Sequence, residues 1–223
     1  MVCAVIVAAG KGTRMGPGID KLFLEVKGAP VIAHTWRRFD STPCIERVIV
    51  VVRDGMQGAF SEVAARHKVT KPWQLVVGGA ERQDSVWNGL EALPEEAEVV
   101  AIQDGARPCT ESALIEATVQ EARACGAAVA AQPVFDTIKE SADGEFIDRT
   151  LDRSRLWTVQ TPQTFLVEVI RKALQTVRER RLLVTDDTAA CELIGQKVRL
   201  VMSGRPNPKV TRREDLSLIE AFL

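Results

Sequence analysis

Two cations flank a glycine turn near the start of the chain, with Arg14 and Lys21 following Gly10 and Gly12. The turn closes Val5-Ile6-Val7-Ala8-Ala9, a short apolar run rich in β-branched residues that reads as a buried strand. Glycine lets other atoms approach the backbone closely, so a strand ending this way offers N–H donors at its carboxyl end. Ligands of open α/β sheets bind at that end, and arrays of N–H groups suit phosphate. Backbone donors with two positive charges match the needs of a nucleoside triphosphate. The same letters also describe a plain strand-to-helix turn with two solvated basic residues. The pattern is not a Walker A loop, because Gly-x-x-x-x-Gly-Lys-Ser/Thr is absent. Nor is it the dinucleotide fingerprint, because Met15 stands at the third glycine position.

Other candidate groups lie further along. Gly78-Gly79-Ala80-Glu81-Arg82-Gln83-Asp84-Ser85 falls between an expected strand and helix. Its glycines would let a flat base lie on the backbone, while Asp84 and Ser85 also suit a helix N-cap. Asp104 opens Asp104-Gly105-Ala106-Arg107-Pro108 just past another buried strand, where an aspartate faces the site. Magnesium usually takes one or two carboxylates with phosphate oxygens and water. Asp104 fits that role, and an Asp104–Arg107 pair is the other reading. Arg153 supplies a cation, and Gln160-Thr161-Pro162-Gln163 supplies a hydroxyl and amides. Val184-Thr185-Asp186-Asp187 either binds substrate or caps a helix. Lys209 sits in a loop that Pro206 and Pro208 stiffen, although a solvated loop lysine would look the same. There is no Ser–His or Cys–His nucleophile signature. His34 and His67 fall in expected helices and read as structural.

To bring these groups together the chain must build a sheet. Helices are expected over Val31 to Phe39, entered through Pro30, and over Asp54 to His67, Asp84 to Leu93, Glu111 to Ala124 and Val167 to Arg178. Another follows Asp186-Asp187, and a last one follows Thr211 as N-cap. Strands are expected over Val48 to Val52, Leu75 to Val77, Val99 to Ile102, Ala127 to Ala131 and Val198 to Met202. The alternation predicts a parallel, doubly wound α/β sheet within one domain, 1–223. It breaks after Pro133. Val134 to Lys139 and Glu145 to Thr150 read as two strands around Asp143-Gly144, a strong hairpin signal. A lone hairpin is marginal in water, so the arm 134–150 needs a surface, either a second copy of the chain or its own domain.

The 223 residues carry 29 basic and 30 acidic side chains, a net charge of −1. That balance lacks the basic excess of a nucleic-acid binder. The five cysteines, Cys3, Cys44, Cys109, Cys125 and Cys191, are an odd number with no Cys-x-x-Cys spacing. They read as reduced and mostly buried, as in a cytoplasmic protein. The apolar start lacks a basic leader and is interrupted by Lys11 and Arg14, unlike a signal peptide. No run approaches the ~18 apolar residues of a membrane helix.

Ala8, Ala9, Gly10, Gly12, Arg14, Met15 and then Lys21 resemble the opening signature of nucleotidyltransferases that load a sugar or polyol phosphate onto a nucleotide. Four more motifs follow in order: Gly-Gly-Ala-Glu-Arg-Gln-Asp-Ser-Val, Gln-Asp-Gly-Ala-Arg-Pro, Pro-Val-Phe-Asp-Thr-Ile-Lys and Asn-Pro-Lys-Val-Thr. Together the five resemble the 2-C-methyl-D-erythritol 4-phosphate cytidylyltransferase family of the non-mevalonate isoprenoid pathway, over essentially the whole chain. The resemblance implies a Rossmann-like three-layer α/β/α fold with a protruding β-hairpin arm. It also implies a homodimer with interlocked arms, magnesium dependence and transfer of CMP from CTP to a polyol phosphate. Arg14 and Lys21 match the pair that stabilises the transition state, and Arg153 and Lys209 the pair that positions the methylerythritol phosphate. Ala8, Ala9, Gly10, Gly79, Asp84 and Ser85 match CTP contacts, with Gly12 in the same loop. Asp104 matches the metal-binding aspartate, and Arg107, Thr137, Thr161 and Thr185 match substrate-pocket positions. This chain departs from the family's usual letters around Asn207, where it has Pro206 and Pro208. Ribitol 5-phosphate is the near alternative substrate, and a catalytically silent nucleotide-binding module is the alternative of another class.

Overall fold

The computed structural model describes residues 1–10 and 20–223. In chain order its elements are β1 (Val2–Ala8), β2 (Glu25–Val26), β3 (Ala29–Pro30), α1 (Val31–Ser41), β4 (Arg47–Val52), α2 (Gln57–Arg66), β5 (Trp73–Val77), α3 (Arg82–Glu91), β6 (Val99–Asp104), α4 (Ser112–Cys125) and β7 (Ala127–Pro133). Then come β8 (Lys139–Glu140), β9 (Arg149–Thr150), β10 (Trp157–Leu166), α5 (Val167–Glu179), α6 (Asp187–Glu192), β11 (Arg199–Met202) and α7 (Asp215–Phe222).

Seven strands form the central sheet in the order β11-β7-β10-β6-β1-β4-β5. Successive residues of a strand face opposite sides, and the central strands are apolar on both. Ala4, Ile6 and Ala8 of β1 join Trp36, Phe39, Phe60, Ile115 and Ile219 from α1, α2, α4 and α7. Cys3 and Val5 join Val86, Leu90, Ile170, Leu174 and Cys191 from α3, α5 and α6. Two cores therefore cover the two faces, which gives the three-layer α/β/α arrangement and explains why these strands read as unbroken apolar runs. The chain moves from β1 outward to β4 and β5, then crosses back to lay β6 on the other side of β1. The reversal opens a crevice at the carboxyl ends of β1 and β6, where open α/β sheets bind ligands.

The sheet is mostly parallel, but β10 runs antiparallel to both β6 and β7. After β7 the chain passes through the arm and returns with no crossover helix, so β10 has to run opposite to β7. Its pairing with β7 shifts register between Val159 and Gln163.

The arm differs from the expected hairpin. Only Lys139–Glu140 and Arg149–Thr150 pair as strands, and residues 141–148 form a wider loop. Asp143 accepts the N–H groups of Glu145 (2.8 Å) and Phe146 (3.0 Å), and Gly144 takes φ +78°. Asp143-Gly144 is thus an Asx-type turn within that loop, not a two-residue hairpin connection. Thr211 also differs from its expected part. The N-cap of α7 is Glu214, and Thr211 donates its N–H to Asp215 Oδ2 at 2.7 Å. Among the described residues no helix is long and apolar enough to cross a membrane.

Candidate active site

A cavity of about 620 Å³ opens at the carboxyl ends of β1, β4, β5 and β6. Its wall includes Ala8, Ala9 and Gly10 after β1, Arg53 after β4, Gly78 to Arg82 and Ser85 after β5, and Asp104 at the end of β6. Lys21 and Lys209 reach it from loops. The volume is that of an ordinary small-ligand site.

Packing builds the turn after β5. A Cβ on Gly78 would lie 2.5 Å from Ala9 Cβ, and one on Gly79 would lie 2.3 Å from Asp84 Cβ. Only glycine allows the two backbones to close here. Ser85 Oγ accepts the Gly79 N–H at 3.1 Å and donates to Glu81 O at 3.1 Å, and it lines the cavity. Asp84 does not line it. Its Oδ2 accepts the Glu81 N–H at 3.1 Å in a capping box that starts α3.

Asp104 is the hub. Lys209 Nζ lies 2.9 Å and Arg107 Nε 3.3 Å from its Oδ2, while Arg82 Nε faces Oδ1 at 3.7 Å. Burial alone would raise its pKa, but the charges of Lys209, Arg82 and Arg107 outweigh burial and hold it far below the usual carboxylate range. Asp104 is therefore an anion across the working pH range. The Asp104–Arg107 pair is present, and Asp104 also lines the cavity.

Lys209 gets there because its loop is fixed from several sides. Asn207 is buried. Its Nδ2 donates to Thr161 O (2.8 Å), its Oδ1 accepts from Thr110 Oγ1 (2.9 Å), and its backbone O accepts from Arg107 Nη1 (2.7 Å). Val210 N–H donates to Ala106 O at 2.9 Å, and Val210 O accepts from Lys21 Nζ at 2.9 Å. One loop thus places two lysines on one wall. Asp20 forms an ion pair with Arg53 and accepts the Leu22 N–H at 3.1 Å, which fixes the backbone around Lys21.

Several expected residues fall elsewhere. Thr161 is buried behind Asp104, where its Oγ1 accepts the Asp104 N–H at 3.1 Å. Arg107 joins the network but does not line the cavity, and Thr185 lies on an exposed turn before α6. Thr137 and Arg153 are exposed at the arm, and Arg153 donates to Phe135 O. Gly12 and Arg14 lie outside the described residues. Arg53 and Arg82 were not singled out from the sequence. The strand-end rule that picked Asp104 applies equally to Arg53 after β4, and Arg82 was passed over for the glycines beside it. No cysteine is among the described residues that line the cavity, and burial pushes Cys191 up to about 12 and Cys3 and Cys109 up to about 11.

Comparison with known proteins bears on this geometry. Residues 2–223 match the family described as 2-C-methyl-D-erythritol 4-phosphate cytidylyltransferase, IspD. The enzyme of that name from Pelotomaculum thermopropionicum is 41% identical over 223 residues, which is 100% of this chain and 94% of the relative. The one from Geobacillus kaustophilus is 41% identical over 220 residues, or 99% and 96%. The crystal structure of 4-diphosphocytidyl-2C-methyl-D-erythritol synthase from Anaerococcus prevotii superposes with a TM-score of 0.87 at 28% identity, covering 100% of this chain and 97% of that one. That of the Thermus thermophilus cytidylyltransferase gives 0.79 at 30%, covering 99% and 98%.

Proposed function

The chain belongs to the 2-C-methyl-D-erythritol 4-phosphate cytidylyltransferase family, and we propose that the cleft at the ends of β1 and β6 is its active site. As a member it is a nucleotidyltransferase that moves CMP from CTP to 2-C-methyl-D-erythritol 4-phosphate and releases pyrophosphate. The observation that carries the siting is Asp104, ionised and ringed by Lys209, Arg107 and Arg82 at the switch point of the sheet.

A phosphate oxygen of the polyol phosphate attacks the α-phosphorus of CTP, a new P–O bond forms, and the bond to pyrophosphate breaks. Two anions must meet and charge must spread, so catalysis consists of positioning and neutralisation, with no side-chain nucleophile. Ala8, Ala9 and Gly10 with the turn from Gly79 to Ser85 receive the nucleotide, and Gly12 and Arg14 are assigned to the same loop. Asp84 shapes that turn through Gly79. Lys21 neutralises charge at the reacting phosphate and Lys209 holds the acceptor phosphate, while Arg107 braces Asp104 and the Asn207 loop from behind the wall. Thr161 supports Asp104 from behind, and Thr185, on the exposed turn before α6, is assigned to the acceptor.

Asp104 suits a magnesium ion that arrives with the triphosphate. It stays ionised, and its Oδ1 has Arg82 only at 3.7 Å, beyond hydrogen-bond reach. One carboxylate with phosphate oxygens and water is a common magnesium set. The ion would supply further charge neutralisation. We also propose that the whole chain, 1–223, works as one unit in the cytosol, supported by its five unpaired cysteines. Its arm, 134–150, would embrace a second copy. Phe135, Phe146 and Ile147 are 76%, 72% and 65% exposed on that arm, an apolar surface that a partner would cover. Thr137 and Arg153 would then serve the partner's site.

Pyrophosphate release with CTP, magnesium and each polyol phosphate tests the reading. Turnover with methylerythritol phosphate is expected. Turnover with ribitol 5-phosphate alone would reassign the substrate, and none above a no-enzyme control would leave a silent binding module. Gly79→Ala tests the nucleotide turn. Relieving its clash with Asp84 takes ~1–3 kcal/mol, so CTP should bind about tenfold more weakly by calorimetry. Unchanged affinity in the folded variant would place the nucleotide elsewhere.

A further inference from the structure

A buried ion pair behind the cleft wall ties Arg82 to a carboxylate that has no part in the chemistry above. Arg82 Nη2 meets Asp187 Oδ2 at 2.8 Å, and Asp187 is 1% exposed. Asp187 comes from the first turn of α6 and does not line the cavity, whereas Arg82 does. The Asp187 N–H donates to Gln163 Oε1 at 3.0 Å, and Gln163 Nε2 donates to Asp186 Oδ2 at 2.9 Å, so β10 clamps the start of α6. Gln83 spans the same joint. Its Nε2 donates to Leu182 O (2.8 Å) and its Oε1 accepts the Val184 N–H (3.0 Å). The guanidinium of Arg82 is thus paired at one end with a buried carboxylate whose backbone β10 holds, and its Nε lies beside Asp104 Oδ1.

We propose that Arg82, anchored by Asp187, is a positioning residue that fixes the orientation of the Asp104 carboxylate toward the metal of the nucleotide complex. Lys209 and Arg107 both engage Oδ2. With Arg82 gone or displaced, no other cation among the described residues pairs with Oδ1, and Lys209 and Arg107 can take both oxygens. A planar guanidinium paired with a buried carboxylate resists rotation of the Asp104 carboxylate. A buried pair is weak evidence for stability by itself, and outer partners of a metal-binding carboxylate commonly orient it. The inference rests on the assignment of Asp104 to the metal.

The test uses Asp187, because Asp187 touches neither the cavity nor Asp104 directly. Full-length Asp187→Asn and Asp187→Glu are compared with wild type and Asp104→Asn. Mn2+ bound in the presence of CTP alone is read by electron paramagnetic resonance, without turnover. Asp187→Asn should weaken Mn2+ binding about tenfold, leaving metal-free CTP binding within about twofold. In turnover it should raise the half-saturating Mg2+ by a similar factor, with kcat largely recovered at high Mg2+. Asp187→Glu keeps the charge and displaces Arg82, so it should show a smaller shift in the same direction; it carries the test if Asp187→Asn fails to fold. If Asp104→Asn abolishes Mn2+ binding and the folded Asp187 variants bind it normally, the inference fails while the metal assignment stands. If Asp104→Asn binds Mn2+ normally, both fail.

Discussion

Lys21→Ala is expected to lower kcat by about 100-fold or more, with a much smaller change in the KM for CTP. The loss of one fixed charge aimed at a developing anion is worth ~3 kcal/mol, or about two decades of rate. Lys21 is set for this in two ways. Its backbone follows Asp20, which is paired with Arg53 and accepts the Leu22 N–H. Its Nζ donates to Val210 O, next to the residue that contacts Asp104. That carbonyl holds the ammonium at the cleft wall before substrate arrives, so little reorganisation remains for the moment of reaction. Interactions made only in the transition state move kcat, and charge grows on the phosphoryl and leaving groups only there. Steady-state pyrophosphate release separates the cases: a normal kcat with a raised KM would make Lys21 a ground-state binder.

How much of this site could be read from the letters depended on how local each signal was. The strand ending at Ala8 and the aspartate ending β6 were legible, because an apolar run followed by glycine or a carboxylate marks the binding end of a parallel strand. Asp84 reads two ways, because an acidic residue near a helix start fits both a ligand contact and a cap; its capping box and the close approach of Gly79 show that it packs the turn. Lys209 could be named but not placed. Its reach to Asp104 depends on Asn207, whose three partners come from β10, from the segment after β6 and from Arg107, and no local pattern carries that information. The Arg82–Asp187 pair was hidden for the same reason, since its halves belong to different helices. The antiparallel strand β10 is hard to read from the letters, because Trp157 to Leu166 mixes polar residues with Pro162, which weakens a strand reading. The arm was legible as a departure from alternation but not in its turn, because Asp143 spends its side chain on two backbone N–H groups instead of a two-residue connection.

Mixing two inactive variants should restore activity if the active site is shared between chains. Within one chain Arg153 does not line the cavity; it is exposed and donates to Phe135 O at the base of the arm. An arginine suited to holding phosphate bidentately then serves the acceptor only if the arm carries it to a neighbour. The exposed Phe135, Phe146 and Ile147 supply a reason for the arm to dock there. Under a two-fold, each arm serves the opposite cleft. Arg153→Ala chains and Lys21→Ala chains are each expected to be nearly inactive alone. In a mixed dimer one cleft has lost both residues, while the other keeps its own Lys21 and receives an intact Arg153. When half the dimers are mixed, about a quarter of wild-type activity should return. Pyrophosphate release after subunit exchange, with heterodimers verified by two affinity tags, makes the measurement. Verified heterodimers with no recovery would mean that Arg153 acts within its own chain, and the arm would then have to fold back toward its own cleft.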